Sequence, residues 1–262
     1  EPLNCKKFVI RMGPAFVDTR QKYEKLNRPK TKAIQHADGV IYQSKFAKQM
    51  CDTFLGTANC KTAIIYNGAN PSTAEPLVSK YPINFCCSTR DWLPQKRLKD
   101  IIESWLAANL KDARLWIAGD THGMDRAYKH KSLCFMGSID NRTLEPLYRL
   151  CTTIIHIVYL DACPNAVCEA LVNGCQVLCN DNGGTQELID EHGRNGRVLA
   201  LDSKRYNFKP IDLKKPPSAN RNLLSETIRN YTNVYKHNCF ERVDIKNIAQ
   251  QYMTFFEEVL NG

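Results

Sequence analysis

No stretch approaches the roughly 18 uninterrupted apolar residues that a membrane-crossing helix requires, so the sequence is not that of an ordinary membrane span. The opening residues, EPLNCKKFVIRMG, lack the charged, apolar and small-residue layout of a signal peptide, which leads to the expectation of a soluble, cytoplasmic protein not exported by the usual route. The 12 cysteines contain no C-x-x-C pair and no set with zinc-ligand spacing, which argues against a zinc module. No G-x-G-x-x-G follows a first strand, which disfavours a dinucleotide-dependent oxidoreductase. Basic residues are scattered through KYEKLNRPKTK, QKRLKD, DRAYKHK and DLKK, with no Arg-rich block and no regular aromatic interleaving, which disfavours nucleic acid. There is no aspartate-rich metal motif, no internal repeat and no low-complexity tract.

What is present is the mixture of a soluble globular protein: 262 residues, 43% hydrophobic and 24% charged, enough for one large or two ordinary domains. Thirty-six basic against 27 acidic residues give a net charge of +9, which favours anionic partners without choosing among nucleotides, nucleic acid and a membrane surface. Membrane contact is not otherwise indicated. Cys86, Cys87, Cys151, Cys168, Cys175 and Cys179 stand where a core strand or helix wants a small apolar residue, so buried thiols in a reducing compartment are expected. The sequons at Asn141 and Asn230 then carry no meaning.

Strands alternate with helices along the chain, the signature of a parallel sheet. Strands are expected at Lys6–Arg11, Gly39–Tyr42 and Lys61–Tyr66, with helices at Thr19–His36 and from a Ser44 cap to Phe54. The proline-bearing residues 71–82 separate this partial N-terminal α/β domain (1–70) from a second unit, 83–240. A complete Rossmann-like half needs more strands than the first unit supplies, so further sequence before Glu1 or a natural short form is expected. In the second unit, strands are expected at Ile83–Ser88, Arg114–Ala118, Ser132–Met136, Ile154–Val158 and Gln176–Cys179. Helices are expected at Gln95–Ala108, Thr143–Cys151, Asn165–Asn173, from Gly184, and at Asn222–Tyr235. Residues 241–262 form a last helix that packs back across the domains, with Ile248, Met253, Phe256 and Leu260 as its apolar stripe. The fold class is therefore α/β, a Rossmann-type doubly wound parallel sheet with a ligand at the carboxyl ends of its strands.

Asp161–Glu187 is the densest stretch. Pro164 suits the first turn of a helix, leaving the N–H groups of Asn165, Ala166 and Val167 open toward an anion. Asp161 and Glu169, eight residues apart, can both face one cleft. A helix cap with a surface acid is the plain alternative. Among the histidines, His122, His156 and His192 show no partner at catalytic spacing, and His156 in an apolar strand reads as core.

Four pieces carry a family resemblance: Arg90-Asp91-Trp92-Leu93-Pro94-Gln95-Lys96-Arg97-Leu98, Leu115–Gly119, Phe135–Ile139, and Asp161–Glu187 with its acid, seven residues, glutamate, and Gly183-Gly184-Thr185-Gln186-Glu187. In order and spacing they resemble the nucleotide-sugar domain of retaining GT-B glycosyltransferases of the group 1, or family 4, type. The resemblance spans about Asp38 to Glu187 and resumes in the last helix.

It implies a GT-B-like fold and a metal-independent hexosyl-type transfer, with retention, from a UDP- or GDP-sugar to a glycan or other hydroxyl acceptor, with no cofactor. It assigns Lys96, with Arg90 or Arg97, to the departing diphosphate, where fixed cations lower the barrier. It assigns Glu169 to the donor ribose and Asp161 to the sugar. Donor contacts are implied for Gly119, Ser138, Ile139, Asn165, Ala166 and Val167, and for Gly183, Gly184 and Thr185, which could equally form a helix start. Two departures are visible: Asp91 stands where the family places an arginine five residues before the lysine, and the family's N-terminal glycine-rich loop and histidine are absent. The alternative is a non-catalytic or incomplete nucleotide-sugar-binding module.

Overall fold

The protein is described from a computed structural model that covers residues 7–238 and 240–262. Lys6, at the start of the first expected strand, lies outside the described residues, as do Cys5 and Cys239. Two parallel sheets organise the chain. The first has order β1(Val9–Met12), β2(Gly39–Tyr42), β3(Lys61–Ile64). Helices α1(Tyr23–His36) and α2(Lys45–Phe54) connect its strands, and the Ser44 hydroxyl accepts the Ala47 N–H at 2.9 Å, the expected cap.

The second sheet has order β6(Leu133–Gly137), β5(Ala113–Asp120), β4(Ile83–Asp91), β7(Thr153–His156), β8(Gln176–Asn180), β9(Gly196–Leu199), all parallel. Its helices are α3(Leu98–Ala108), a single turn α4(Met124–Ala127), α5(Asn141–Leu150), α6(Asn165–Val172) and α7(Arg221–Asn230). Adjacent side chains on β4 point to opposite faces, as a pleated strand requires. Phe85 and Cys87 join the core under α3 and α7 with Trp105, Ile117 and Leu224. Cys86 joins the core under α5 and α6 with Tyr148, Val167 and Leu171. Both faces of the sheet are thereby covered, which is why its strands read as continuous apolar runs. All ten cysteines among the described residues are free thiols. Burial pushes the Cys179 thiol up to about 12, so it packs as a protonated, near-apolar group.

Three expectations need correcting. The helix expected from Gly184 is only a 3-10 turn at Thr185–Leu188, and the chain goes on to the edge strand β9, whose two exposed central residues hide its pattern. The helix expected from Gln95 begins at Leu98, because Pro94–Lys96 is a 3-10 turn and Arg97 takes the left-handed conformation (φ 59) between the two. The last helix, α8(Ile245–Asn261), packs on the first sheet through Ile248, Phe255 and Val259, while Met253, Phe256 and Leu260 are exposed. Five residues advance a helix by one turn and about 140°, so the step from Ile248 to Met253 leaves the buried face.

The two sheets are joined at the turn after β8. Glu187 accepts the N–H groups of Lys45 and Phe46, both at 2.8 Å, and so caps α2 of the first sheet unit from the second. Tyr66 also donates to it, at 3.2 Å. Charge-assisted bonds to open helix N–H groups are stronger than neutral ones. Glu187→Ala is therefore expected to cost about 1–2 kcal/mol, read as a lower urea midpoint with an unchanged slope. An unchanged midpoint would show that the cap contributes nothing.

Candidate active site

The strand order places a topological switch point between β4 and β7: β4, β5 and β6 step outward on one side, and β7, β8 and β9 on the other. The loops after β4 and β7 diverge there, which opens the crevice in which open α/β sheets hold ligands. The loop after β4 carries Lys96 and the loop after β7 carries Asp161.

Two cavities flank this point. One, of about 530 Å³, lies between the sheets, with Lys96 and Asp161 on one wall and residues of the first sheet unit, Pro14 to Asp18, Arg20 and Lys30 among them, on the other. The second, of about 410 Å³, is lined by Thr89, Arg90, Gly119, Ser138, Ile139, Ala166 and Glu169 among others. The Lys96 ammonium donates to the Thr89 hydroxyl. Since Thr89 lines the second cavity and Lys96 the first, that bond marks where the two meet.

Asp161 and Glu169, expected in one cleft, are thus divided between the two cavities. The helix that separates them in sequence separates them in space, since Glu169 sits just over a turn along α6. Their environments differ as well. Burial pushes the Asp161 carboxyl up, but the hydrogen bond and charge of His156, the charge of Lys96 and the Ala162 N–H outweigh it, so the group stays below its ordinary value. His156 Nε2 lies 3.3 Å from Asp161 Oδ2, and the imidazole is almost fully buried. Reading His156 as an unpartnered core residue is therefore corrected: it is core, and it backs the acid. The spacing of five residues across a strand end was the available signal. Glu169 is shifted the other way, its pKa raised by burial and then by Glu145.

The remaining expected residues sort by position. Arg90 is exposed at the second cavity, whereas Arg97 is 3% exposed and paired with Asp202 inside the core, so Arg97 cannot face the crevice. Gly119 has φ +117, and a Cβ there would lie 1.9 Å from the Thr89 carbonyl oxygen. Its lack of a side chain is used first to let β5 pass the end of β4, and only then to leave the cavity floor open. Pro164 is the residue before α6 rather than in its first turn. Its carbonyl oxygen accepts the Val167 N–H at 3.1 Å, so that group, expected to be open, is already used. Asn165 is exposed and its side-chain oxygen accepts from Asn67 of the first sheet unit at 2.6 Å.

Gly183, Gly184 and Thr185 line neither cavity. They press against the back of the Asp161 loop: the Gly184 N–H donates to the Asp161 carbonyl at 2.7 Å, and a Cβ on Gly184 would lie 1.8 Å from the Ala162 carbonyl oxygen. His122 also has a partner, Asp91 Oδ1 at 2.5 Å, and with Asp120 the three bring ligand-type atoms within 4.8 Å of one another on the surface. Among the described residues no helix is long and apolar enough to cross a membrane.

Comparison with known proteins agrees with this fold. Residues 82–207 match the family model described as glycosyl transferases group 1. No curated protein matches the sequence. Among solved structures, sucrose-phosphate synthase from Thermosynechococcus elongatus superposes with a TM-score of 0.73 at 16% identity, over 97% of this chain and 68% of that one. Anabaena HepE in complex with UDP gives 0.69 at 18% identity, over 95% and 72%. The lipopolysaccharide outer core galactosyltransferase WaaB gives 0.65 at 19% identity, over 96% and 68%. In sequence over residues 82–207, and in fold over nearly its whole described length, the chain is similar to glycosyltransferases of group 1 and the GT-B fold.

Proposed function

We propose that the protein transfers a sugar from a nucleoside diphosphate sugar to a hydroxyl acceptor, with retention of configuration and without a metal. The observation that carries the reading is the placement of Lys96 on one and Glu169 on the other of the two cavities at the switch point. In this scheme the nucleoside occupies the second cavity, and the Glu169 carboxylate accepts hydrogen bonds from the ribose hydroxyls. Among the described residues no side chain donates to that carboxylate. The diphosphate lies at the Lys96–Thr89 junction, with Arg90 at the rim. The sugar projects into the cavity between the sheets, beside the ionised Asp161, which favours positive charge developing on the sugar ring.

As the bond from the sugar to the diphosphate oxygen breaks, Lys96 meets the negative charge that appears on the leaving group. The acceptor oxygen attacks the same face, and its proton passes to the departing diphosphate. The complexes with UDP, and with UDP-glucose, reported for the Anabaena protein favour a uridine donor over a guanosine one as the first to test.

The deciding assay is nucleotide release from UDP- and GDP-sugars, with and without glycan acceptors. Release stimulated by acceptor supports the enzyme, and binding of donor with no turnover leaves a nucleotide-sugar-binding module. Inversion at the anomeric carbon would overturn the retaining scheme.

Glu169→Gln keeps the shape but loses one strong acceptor, so UDP binding is expected to weaken about tenfold, as for a hydrogen bond to a charged group. Because burial holds the Glu169 pKa above its ordinary value, wild-type affinity should fall on acidification earlier than for an exposed glutamate, and Glu169→Gln should flatten that fall. The stability sign is opposite. The folded state binds the proton more tightly than the unfolded chain, so this group favours folding below the ordinary glutamate pKa, and that contribution is lost as pH rises through the raised value.

A further inference from the structure

The wall facing Lys96 and Asp161 carries a cation that no carboxylate among the described residues balances. The loop Pro14–Val17 is fastened to α1 by Asn27, which accepts the Phe16 N–H at 2.8 Å and donates to the Phe16 carbonyl at 2.9 Å. One helical turn along α1, Lys30 donates to the Pro14 carbonyl at 2.6 Å and lies 4.4 Å from the centre of the Phe16 ring. An ammonium has three N–H donors, and among the described residues one acceptor, the Pro14 carbonyl, meets them. The neighbouring Arg20 is neutralised by Asp18 and Asp212, at 2.6 and 2.8 Å, but among the described residues no acid pairs with Lys30. Burial lowers its pKa from the ordinary lysine value, with Cys51 opposing, so this half-buried charge has lost water without gaining a counter-charge. Both Lys30 and Lys96 line the same cavity, on opposite walls.

Resting on the glycosyltransferase reading, we infer that the acceptor carries an oxyanion, a phosphate ester or a carboxylate, which seats against Lys30 while its hydroxyl faces the donor across the cavity. The diphosphate of the donor is met by Lys96 on the other wall, so the Lys30 charge is left for the second substrate.

The test is calorimetric titration of the full chain, saturated with UDP so that the Lys96 wall is filled, with glucose 6-phosphate, glucuronate and glucose. At least one anionic sugar is expected to bind about tenfold or more tightly than glucose, by the strength of a charged hydrogen bond. That preference is expected to disappear in Lys30→Met and in Lys30→Gln while UDP affinity stays as in the wild type. The glutamine can still donate to the Pro14 carbonyl, so recovery of the preference in Lys30→Gln would assign Lys30 to loop support and overturn the inference. UDP binding with no preference for either anionic sugar overturns it as well. Where UDP does not bind, GDP takes its place in the titration, and failure of both nucleotides to bind instead overturns the reading beneath it. The relative binding of phosphate ester and carboxylate identifies which oxyanion the site takes.

Discussion

Lys96→Ala is expected to lower acceptor-dependent nucleotide release by about 100- to 1,000-fold, the loss typical when one preorganised donor to a developing negative charge is removed. The size follows from where the ammonium sits. The 3-10 turn at Pro94–Lys96 and the left-handed Arg97 present Lys96 at the mouth of the crevice, and Thr89 holds its ammonium at the end of β4. A group fixed before reaction needs no reorganisation as charge appears, and a partly enclosed site strengthens its effect. Lys96 is half-buried and not part of either apolar core, so thermal stability should stay within about 0.5 kcal/mol of the parent, as for most substitutions outside such features. UDP affinity should weaken too, because the ground-state diphosphate is already anionic. Full activity in Lys96→Ala would remove the lysine from the proposed chemistry.

Asp202→Ala should have the largest effect on folding, about 3–5 kcal/mol, because it leaves the neighbouring guanidinium buried without its counter-charge. Arg97 and Asp202 are paired with side chains 1% and 0% exposed. The guanidinium also donates to the Pro217 carbonyl at 2.8 Å and stacks over Tyr159, its central carbon 4.9 Å from the ring centre. Asp202 in turn accepts from Asn182 at 2.8 Å. The pair thus ties the turn before α3 to the segments after β8 and β9. Loss of one partner leaves a charge that cannot be solvated, which is a different matter from losing a more exposed pair such as Lys99 with Glu103. For a chain of this size the melting temperature should fall by on the order of 10 °C. Double replacement of Arg97 and Asp202 by apolar residues should recover part of that loss, since the stranded charge is then gone. A melting temperature in Asp202→Ala equal to that of the parent would contradict the burial of the pair.

These two substitutions separate site from scaffold at two adjacent residues, Lys96 itself and Arg97, the partner of Asp202. Lys96 and Arg97 are both basic, both close to a strand end, and indistinguishable by composition. One faces a crevice and the other a core, because Arg97 itself takes the left-handed conformation and turns the chain away from the 3-10 turn that carries Lys96. The sequence resemblance named Lys96 with either arginine, and nothing local could choose. Likewise, His156 looks like a core strand residue until β7 and the loop after it are folded, when its ring meets Asp161.

The amino-acid sequence alone determined the alternation of strands and helices, the capped start of α2 and the glycine pair after β8. Each is written in local periodicity or in a short motif whose residues act on their own backbone. Tertiary structure decided the rest. It set the strand order that puts the crevice between β4 and β7 and divided Asp161 from Glu169 between two cavities. It turned the glycine pair into the back support of the Asp161 loop, made Glu187 a cap for a helix over a hundred residues earlier, and left Lys30 facing the crevice with no counter-charge among the described residues. Those relations depend on which distant segments are pressed together when both faces of each sheet are buried, and a one-dimensional pattern of apolar and polar residues records that a face is buried without recording against what.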